Sequence, residues 1–282
     1  MGSKTKIEWC TATWNPIMGC TPISPGCRNC YARTMMARFA GQKGWPSSPG
    51  DITLFPERLE QPFRWKKPKT IFVCSTSDLF HGAVPFKFIA SVFGVMASNP
   101  RHTFQVLTKR PSNMIRWFNG MKNRPINKSL MMLSEYQVDS FANPSMVETH
   151  ISTEWPLPNV HIGVSAENQE MADERIPLLS NTPAAKRFVS LEPLLGPISL
   201  GDYLIDKTKY KLTIGNYPDG VIVGAETGKG KRHMDLDWAR YLRDQCVSTN
   251  VPFFFKKDSD RNHKLDGEVW EQMPCTHGTS QN

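Results

Sequence analysis

The chain has 282 residues, is 39% hydrophobic and carries a formal net charge of +8. That length supplies one large core or two smaller ones. No apolar run approaches the length a bilayer requires and no apolar signal segment opens the chain, so a soluble, cytoplasmic monomer is expected.

In chain order, a first strand is expected just before Cys20. A Gly- and Pro-rich loop follows, Gly19-Cys20-Thr21-Pro22-Ile23-Ser24-Pro25-Gly26-Cys27-Arg28-Asn29-Cys30-Tyr31, and runs into a helix-like stretch over residues 31–40. Short apolar runs rich in β-branched and aromatic residues recur at 70–74, 103–107, 160–164, 186–190, 220–223 and 251–255, with amphipathic stretches such as 85–97 and 235–246 between them. Continuous apolar strands alternating with helices predict a parallel sheet buried on both sides. The expected fold is α/β, a partial (β/α) TIM-type barrel of about six to seven strands. It occupies residues 1–255, with an insertion or lid at about 119–158, and residues 256–282 form a C-terminal extension packed on it.

The cysteine loop carries the first chemical signal. Three thiolates on one short loop bind a metal and leave a coordination position over. A closed structural zinc site needs four ligands. The fourth would come from Cys10, Cys74, Cys246, Cys275 or a distant His, and the chain holds no second C-x-x-C. An iron–sulfur cube held by three thiolates keeps one iron for a small molecule. Both readings stand on the spacing. Seven cysteines in a long chain argue against a disulfide framework.

Charge is the second signal. Between Asp78 and Glu135 there is no acidic residue, while Lys87, Arg101, Lys109, Arg110, Arg116, Lys122, Arg124 and Lys128 lie there beside Phe104, Trp117 and Phe118. A field of one sign with interleaved rings suits a polyanion with unstacked bases. Arg110, Arg116, Trp117, Lys122 and Arg124 are the expected nucleic-acid contacts. Polar residues also close each strand run: Ser75-Thr76-Ser77-Asp78, Thr108-Lys109-Arg110, Ser165-Ala166-Glu167-Asn168, Leu191-Glu192-Pro193 and Gly224-Ala225-Glu226. In a parallel barrel they share one rim with the loop after the first strand.

Taken together these residues resemble the radical S-adenosylmethionine superfamily, and more closely the phage-type Gp37/Gp68 family of unknown function. The likeness runs through Thr13-Trp-Asn-Pro16, Gly19-Cys20, Ser24-Pro-Gly-Cys27-x-x-Cys30-Tyr31-Ala32, Ser77-Asp78-Leu79-Phe80-His81 and residues 103–111. It continues through Gly163-Val-Ser165-x-Glu167-Asn168, residues 172–179, Glu192-Pro-Leu-Leu-Gly196, residues 221–224 with Glu226, Leu265-Asp-Gly267, Trp270 and Met273-Pro274. The superfamily's C-x3-C-x2-C is C-x6-C-x2-C here. The resemblance implies a [4Fe-4S] cluster on Cys20, Cys27 and Cys30. S-adenosyl-L-methionine bound to the open iron would be cleaved to methionine and a 5′-deoxyadenosyl radical. An electron donor such as flavodoxin or ferredoxin would be the redox partner.

The strand ends also resemble spore photoproduct lyase, which carries a Thr-Ser-Asp run and a Thr-Lys like Thr76-Ser77-Asp78 and Thr108-Lys109. This implies that Ser77, Lys109 and Ser165 contact S-adenosylmethionine, with Asp78, Glu167, Asn168, Glu192, Gly224 and Glu226 binding it or ordering its loops. Cys74 is either a displaced hydrogen donor or an inert core cysteine, and Tyr31 either a radical relay or a packed ring. The expected activity is lyase-type repair of damaged DNA. The alternatives are radical modification of RNA or a nucleoside, and a zinc-stabilised nucleic-acid-binding protein without catalysis.

Overall fold

A computed structural model describes residues 5–121, 155–204 and 217–273, apart from the Asp202 side chain. The architecture is mixed α/β. Seven strands form one sheet in the order β1(Ala12–Trp14), β4(Thr70–Val73), β5(Thr103–Thr108), β6(Val160–Ser165), β7(Lys186–Leu191), β8(Val221–Gly224) and β9(Phe253–Lys257). The pairs β1–β4, β4–β5, β7–β8 and β8–β9 are all parallel. Between β1 and β4 a small antiparallel pair joins β2(Ile17–Met18) to β3(Thr53–Leu54). The apolar runs in the sequence are these strands. Every residue of β6 and β8 is buried, as in a sheet covered on both faces.

The chain divides into two compact units: residues 1–23, 30–162 and 182–185, and residues 24–29, 163–181 and 186–282. The first contains α1(Tyr31–Phe39), α2(Phe86–Ala97) and α3(Pro111–Met121). Helix α2 buries every residue from Phe88 to Ala97, because it is apolar on all sides and packs on all sides. Trp14 of β1 is fully buried and its Nε1–H donates to the Arg58 carbonyl at 2.8 Å. Gly19 lies where the chain turns into the cysteine loop. It has φ +91°, and a Cβ there would stand 2.0 Å from the Asp51 carbonyl oxygen, so no other residue fits without moving the backbone.

In the second unit, α4(Gln169–Ser180) buries Ala172, Arg175, Ile176 and Leu179, an i, i+3, i+4, i+7 stripe. Helix α5(Leu236–Ser248) starts at Asp235, whose carboxylate accepts from the Asp237 N–H. Strand β9 extends two residues past the expected boundary at 255. Beyond it, β10(Lys264–Leu265) and β11(Glu268–Val269) form a hairpin around Asp266 and Gly267, both at positive φ, as an Asp-Gly turn requires. The chain then returns along β9, with Phe255 N–H bonded to the Trp270 carbonyl at 2.8 Å. The part of this extension described, residues 258–273, thus belongs to the second unit. Of the expected insertion, 119–121 complete α3 and 155–158 are described, Trp155 packing near Phe93 and Phe118; residues 122–154 lie outside the described residues.

Candidate functional site

Sequence adjacency makes the cysteine loop one segment, and each unit holds its own part of it. In the first unit the segment after β4 supports residues 15–21. The Asn15 side chain accepts from Ser75 Oγ at 3.1 Å and from Thr76 N–H at 3.2 Å. Ser77 Oγ donates to the Ile17 carbonyl at 2.9 Å, and Ser77 bridges Gly19 in parallel register. The segment that opens with Thr13-Trp-Asn-Pro16 and the Thr76-Ser77-Asp78 run, about 60 residues apart, are therefore held together.

Asp78 is the hub of this half. It is buried, and its Oδ1 accepts from the Phe80 N–H at 3.0 Å and from Thr108 Oγ1 at 2.7 Å. Its Oδ2 accepts from the Lys109 N–H at 3.1 Å and from Arg110 Nη1 at 3.3 Å. Arg110 reaches onward, with Nη1 3.6 Å from Cys20 Sγ and Nη2 donating to the Thr21 carbonyl at 2.8 Å. Thr21 Oγ1 lies 2.9 Å from His81 Nε2. The Ala83 N–H donates to His81 Nδ1 at 3.1 Å. Burial, with the Arg110 charge beside it, holds His81 below the usual histidine range. A neutral ring whose Nδ1 is an acceptor carries its proton on Nε2. In that tautomer the Nε2–H donates to Thr21 Oγ1.

The second unit holds residues 24–29 with two carboxylates that follow β6 and β8. Glu167 is fully buried. Its Oε1 accepts from the Gly26 N–H at 2.8 Å, and its Oε2 pairs with Arg175 Nη1 at 3.3 Å. Arg175 is 2% exposed and also donates to the Ser165 carbonyl at 2.7 Å. A Cβ on residue 26 would come within 2.9 Å of the Glu167 carboxyl carbon, so the backbone approaches that closely only because Gly26 has no side chain. Glu226 receives Asn29 Nδ2 at 2.9 Å and both the N–H and the guanidinium of Arg232. Arg232 Nη2 also donates to the Pro25 carbonyl at 3.0 Å.

Burial acts to raise the Glu226 pKa, but the hydrogen bonds from Arg232 and Asn29 outweigh it and hold the carboxyl at about 2. A carboxyl whose folded pKa lies below its ordinary 4.5 stabilises the fold above pH 4.5, and that contribution fades as the pH falls toward 2. Glu226→Gln is therefore expected to lower Tm at pH 7 and to flatten the loss of Tm between pH 4.5 and 2, read by thermal scans across that window. An unchanged acid limb would show that the carboxylate does not anchor the loop.

The remaining expected residues fall into distinct places. Asn168 caps α4, its Oδ1 accepting from the Met171 N–H at 3.0 Å. Ser165 is buried, with Oγ 3.3 Å from the Glu192 carbonyl. Glu192 is ion-paired with Lys256, and Gly224, at a bulge in β8, faces both side chains. Tyr31 is 47% exposed and its hydroxyl donates to the Ser75 carbonyl at 2.6 Å. Cys74 is buried at φ 60°, and burial pushes its thiol up to about 12, so it keeps its proton.

Two of the expected nucleic-acid contacts are corrected. Trp117 is 3% exposed and stacks on Phe93 with ring centroids 4.5 Å apart, so no base can stack on it; it is a core residue. Arg110 turns inward to Asp78 and Cys20, its side chain 10% exposed. Arg116 is exposed, while Lys122 and Arg124 lie outside the described residues. The loop anchors Arg175 and Arg232 were not anticipated. Arg175 lies eight residues from Glu167, on the buried stripe of α4, a buried-charge signal that was legible; Arg232 follows an irregular Gly-rich loop and gave none.

The six described cysteines separate into two classes, and none is in a disulfide. Cys10, Cys74 and Cys246 are buried, and burial holds the Cys74 and Cys246 thiols at about 12. Cys20, Cys27 and Cys30 are half-buried. Thiols that keep their protons are poor ligands, because the thiolate is the ligating form. A half-buried thiol that can ionise is the donor type a soft metal takes. Among the described residues no three His, Cys, Asp or Glu side chains are already gathered as a ligand set.

A family model matches residues 4–274. The chain belongs to the family described as protein of unknown function (DUF5131). No curated protein and no solved structure matches it. A family without an assigned function is compatible with the Gp37/Gp68 likeness. Among the described residues of this family member, no helix is long and apolar enough to cross a membrane.

Proposed function

We propose that the protein is a radical S-adenosylmethionine enzyme on a partial (β/α) barrel of the TIM type, acting on nucleic acid, with a photoproduct-type lesion in DNA as substrate. The observation that carries this reading is the separation of the cysteines: the only three described thiols with solvent access lie in the segment whose spacing resembles a cluster motif. Cys20, Cys27 and Cys30 would hold the [4Fe-4S] cluster. When bound, the cluster supplies reductive cleavage of S-adenosylmethionine, chemistry that belongs to the cofactor.

The chain's own residues do the positioning. Asp78 with Arg110 fixes Cys20 and Thr21, Glu167 holds the Gly26 N–H, and Glu226 holds the Asn29 side chain and the Arg232 that donates to the Pro25 carbonyl. The resemblance to spore photoproduct lyase gives Ser77, Lys109 and Ser165 to the S-adenosylmethionine. Damaged DNA is favoured as substrate by that likeness and by the acid-free stretch from 79 to 134, whose charge follows from the sequence.

Anaerobic reconstitution with iron and sulfide, followed by incubation with dithionite, S-adenosylmethionine and UV-irradiated DNA, tests this. A brown, iron-loaded protein and restored thymidines in the nucleoside digest are expected. Cofactor cleavage without change in the DNA would transfer the reading to RNA or a nucleoside. A colourless, zinc-loaded protein would leave a binding protein without catalysis.

A further inference from the structure

Resting on the radical-enzyme reading, we propose that Arg110 is a positioning residue that raises the reduction potential of the cluster by hydrogen bonding to the Cys20 sulfur. The guanidinium is held on several sides: Asp78 Oδ2 at 3.3 Å, the Thr21 carbonyl at 2.8 Å, Thr21 Oγ1 at 3.2 Å and Cys20 Sγ at 3.6 Å. Its backbone is fixed as well, since the Arg110 N–H donates to Thr108 Oγ1 at 2.8 Å and that hydroxyl donates to Asp78. Three of these contacts fall on the Cys20–Thr21 segment, so the guanidinium follows the cysteine backbone as well as its sulfur. With its side chain 10% exposed, it is an internal group rather than a surface cation.

Reduction adds one electron to the cluster and one negative charge to its sulfur shell. A donor N–H against one of those sulfurs stabilises the reduced form more than the oxidised one, even with the guanidinium charge partly offset by Asp78. The electron comes from outside, from a low-potential electron-transfer protein in the cell or from dithionite in the test. Arg110 thereby makes the same reductant more effective, without touching S-adenosylmethionine or substrate.

The test is a redox titration of the full-length reconstituted protein, followed optically and by electron paramagnetic resonance, with iron counted in every sample. In Arg110→Met the ratio of reduced to oxidised cluster at a fixed potential is expected to fall about tenfold, a midpoint about 59 mV lower for a one-electron couple. Arg110→Lys keeps the charge but not the fork of donors, and its midpoint is expected between the two. A merely structural arginine would change iron content or Tm and leave the midpoint of the loaded fraction where it was. Arg110→Met with full iron and the wild-type midpoint would overturn the inference while leaving the radical-enzyme reading intact. If Arg110→Met does not load, a wild-type midpoint in Arg110→Lys overturns it equally. A wild-type protein that takes up no iron–sulfur cluster would overturn both.

Discussion

Cys27→Ala is expected to lose the cluster entirely, taking the iron count of the reconstituted protein from about four per chain to near zero. Cys20→Ala and Cys30→Ala should do the same, because in the proposed cluster each thiolate would hold a different iron and no described cysteine could replace it. The buried Cys10, Cys74 and Cys246 are the internal controls. Cys246→Ala removes a thiol that sits in the buried face of α5 and is held at about 12 by burial, so it should lower Tm somewhat and leave iron uptake unchanged. Iron and sulfide analysis of the purified variants decides the matter. Full iron in Cys27→Ala would assign the ligands elsewhere.

The second large effect concerns Glu167. Removing its carboxylate leaves the Arg175 guanidinium, 2% exposed, without a counter-charge and the Gly26 N–H without its acceptor. Breaking a buried pair from one side costs about 3–5 kcal/mol. For a chain of this size, Glu167→Ala should lower Tm by roughly 10 °C. Replacing both partners with apolar residues, Glu167→Leu with Arg175→Met, should recover much of the loss, because no buried charge is then left unpaired. The loop contact to Gly26 would stay broken in the double variant, so its cluster should remain labile even where Tm recovers. Thermal unfolding of the apo proteins measures the first effect, and iron retention over time the second. A Tm within about 1 °C of wild type in Glu167→Ala would contradict the burial of the pair.

The strands were legible because a parallel sheet covered on both faces leaves continuous apolar runs, and β4 to β9 lie on six such runs. The helix at 236–248 was legible from its amphipathic pattern and acidic start, while that at 86–97, expected to be amphipathic, is buried throughout from Phe88 to Ala97. The polar strand ends were also legible as a set, yet their geometry was not. Glu167, Glu226 and Asp78 read as residues that bind the cofactor or order its loops, since a carboxylate after a strand gives no sign of which N–H it will meet. The structure directs all three to the backbone, side-chain amide or guanidinium groups that hold the cysteine loop. Trp117 and Arg110 show the same limit for the basic stretch. A Trp on α3 has the same letter whether it faces solvent or Phe93, and only the helix's packing decides. Arg110 read as part of a cationic surface because its neighbours in sequence are basic, while its partners in space, Asp78 and Cys20, are 32 and 90 residues away.

If the protein is the radical enzyme proposed, the loop of Cys20, Cys27 and Cys30 builds a redox-active cluster with S-adenosylmethionine-cleaving activity. Its most direct measurement is the 5′-deoxyadenosine formed when the anaerobically reconstituted protein is mixed with S-adenosylmethionine and dithionite, quantified against Cys27→Ala prepared in the same way. Formation of 5′-deoxyadenosine and methionine in equal amounts by the wild type, and none by the variant, is the predicted result. A wild-type protein loaded with iron and sulfide that forms no 5′-deoxyadenosine, or a Cys27→Ala protein that forms as much as the wild type, would contradict it.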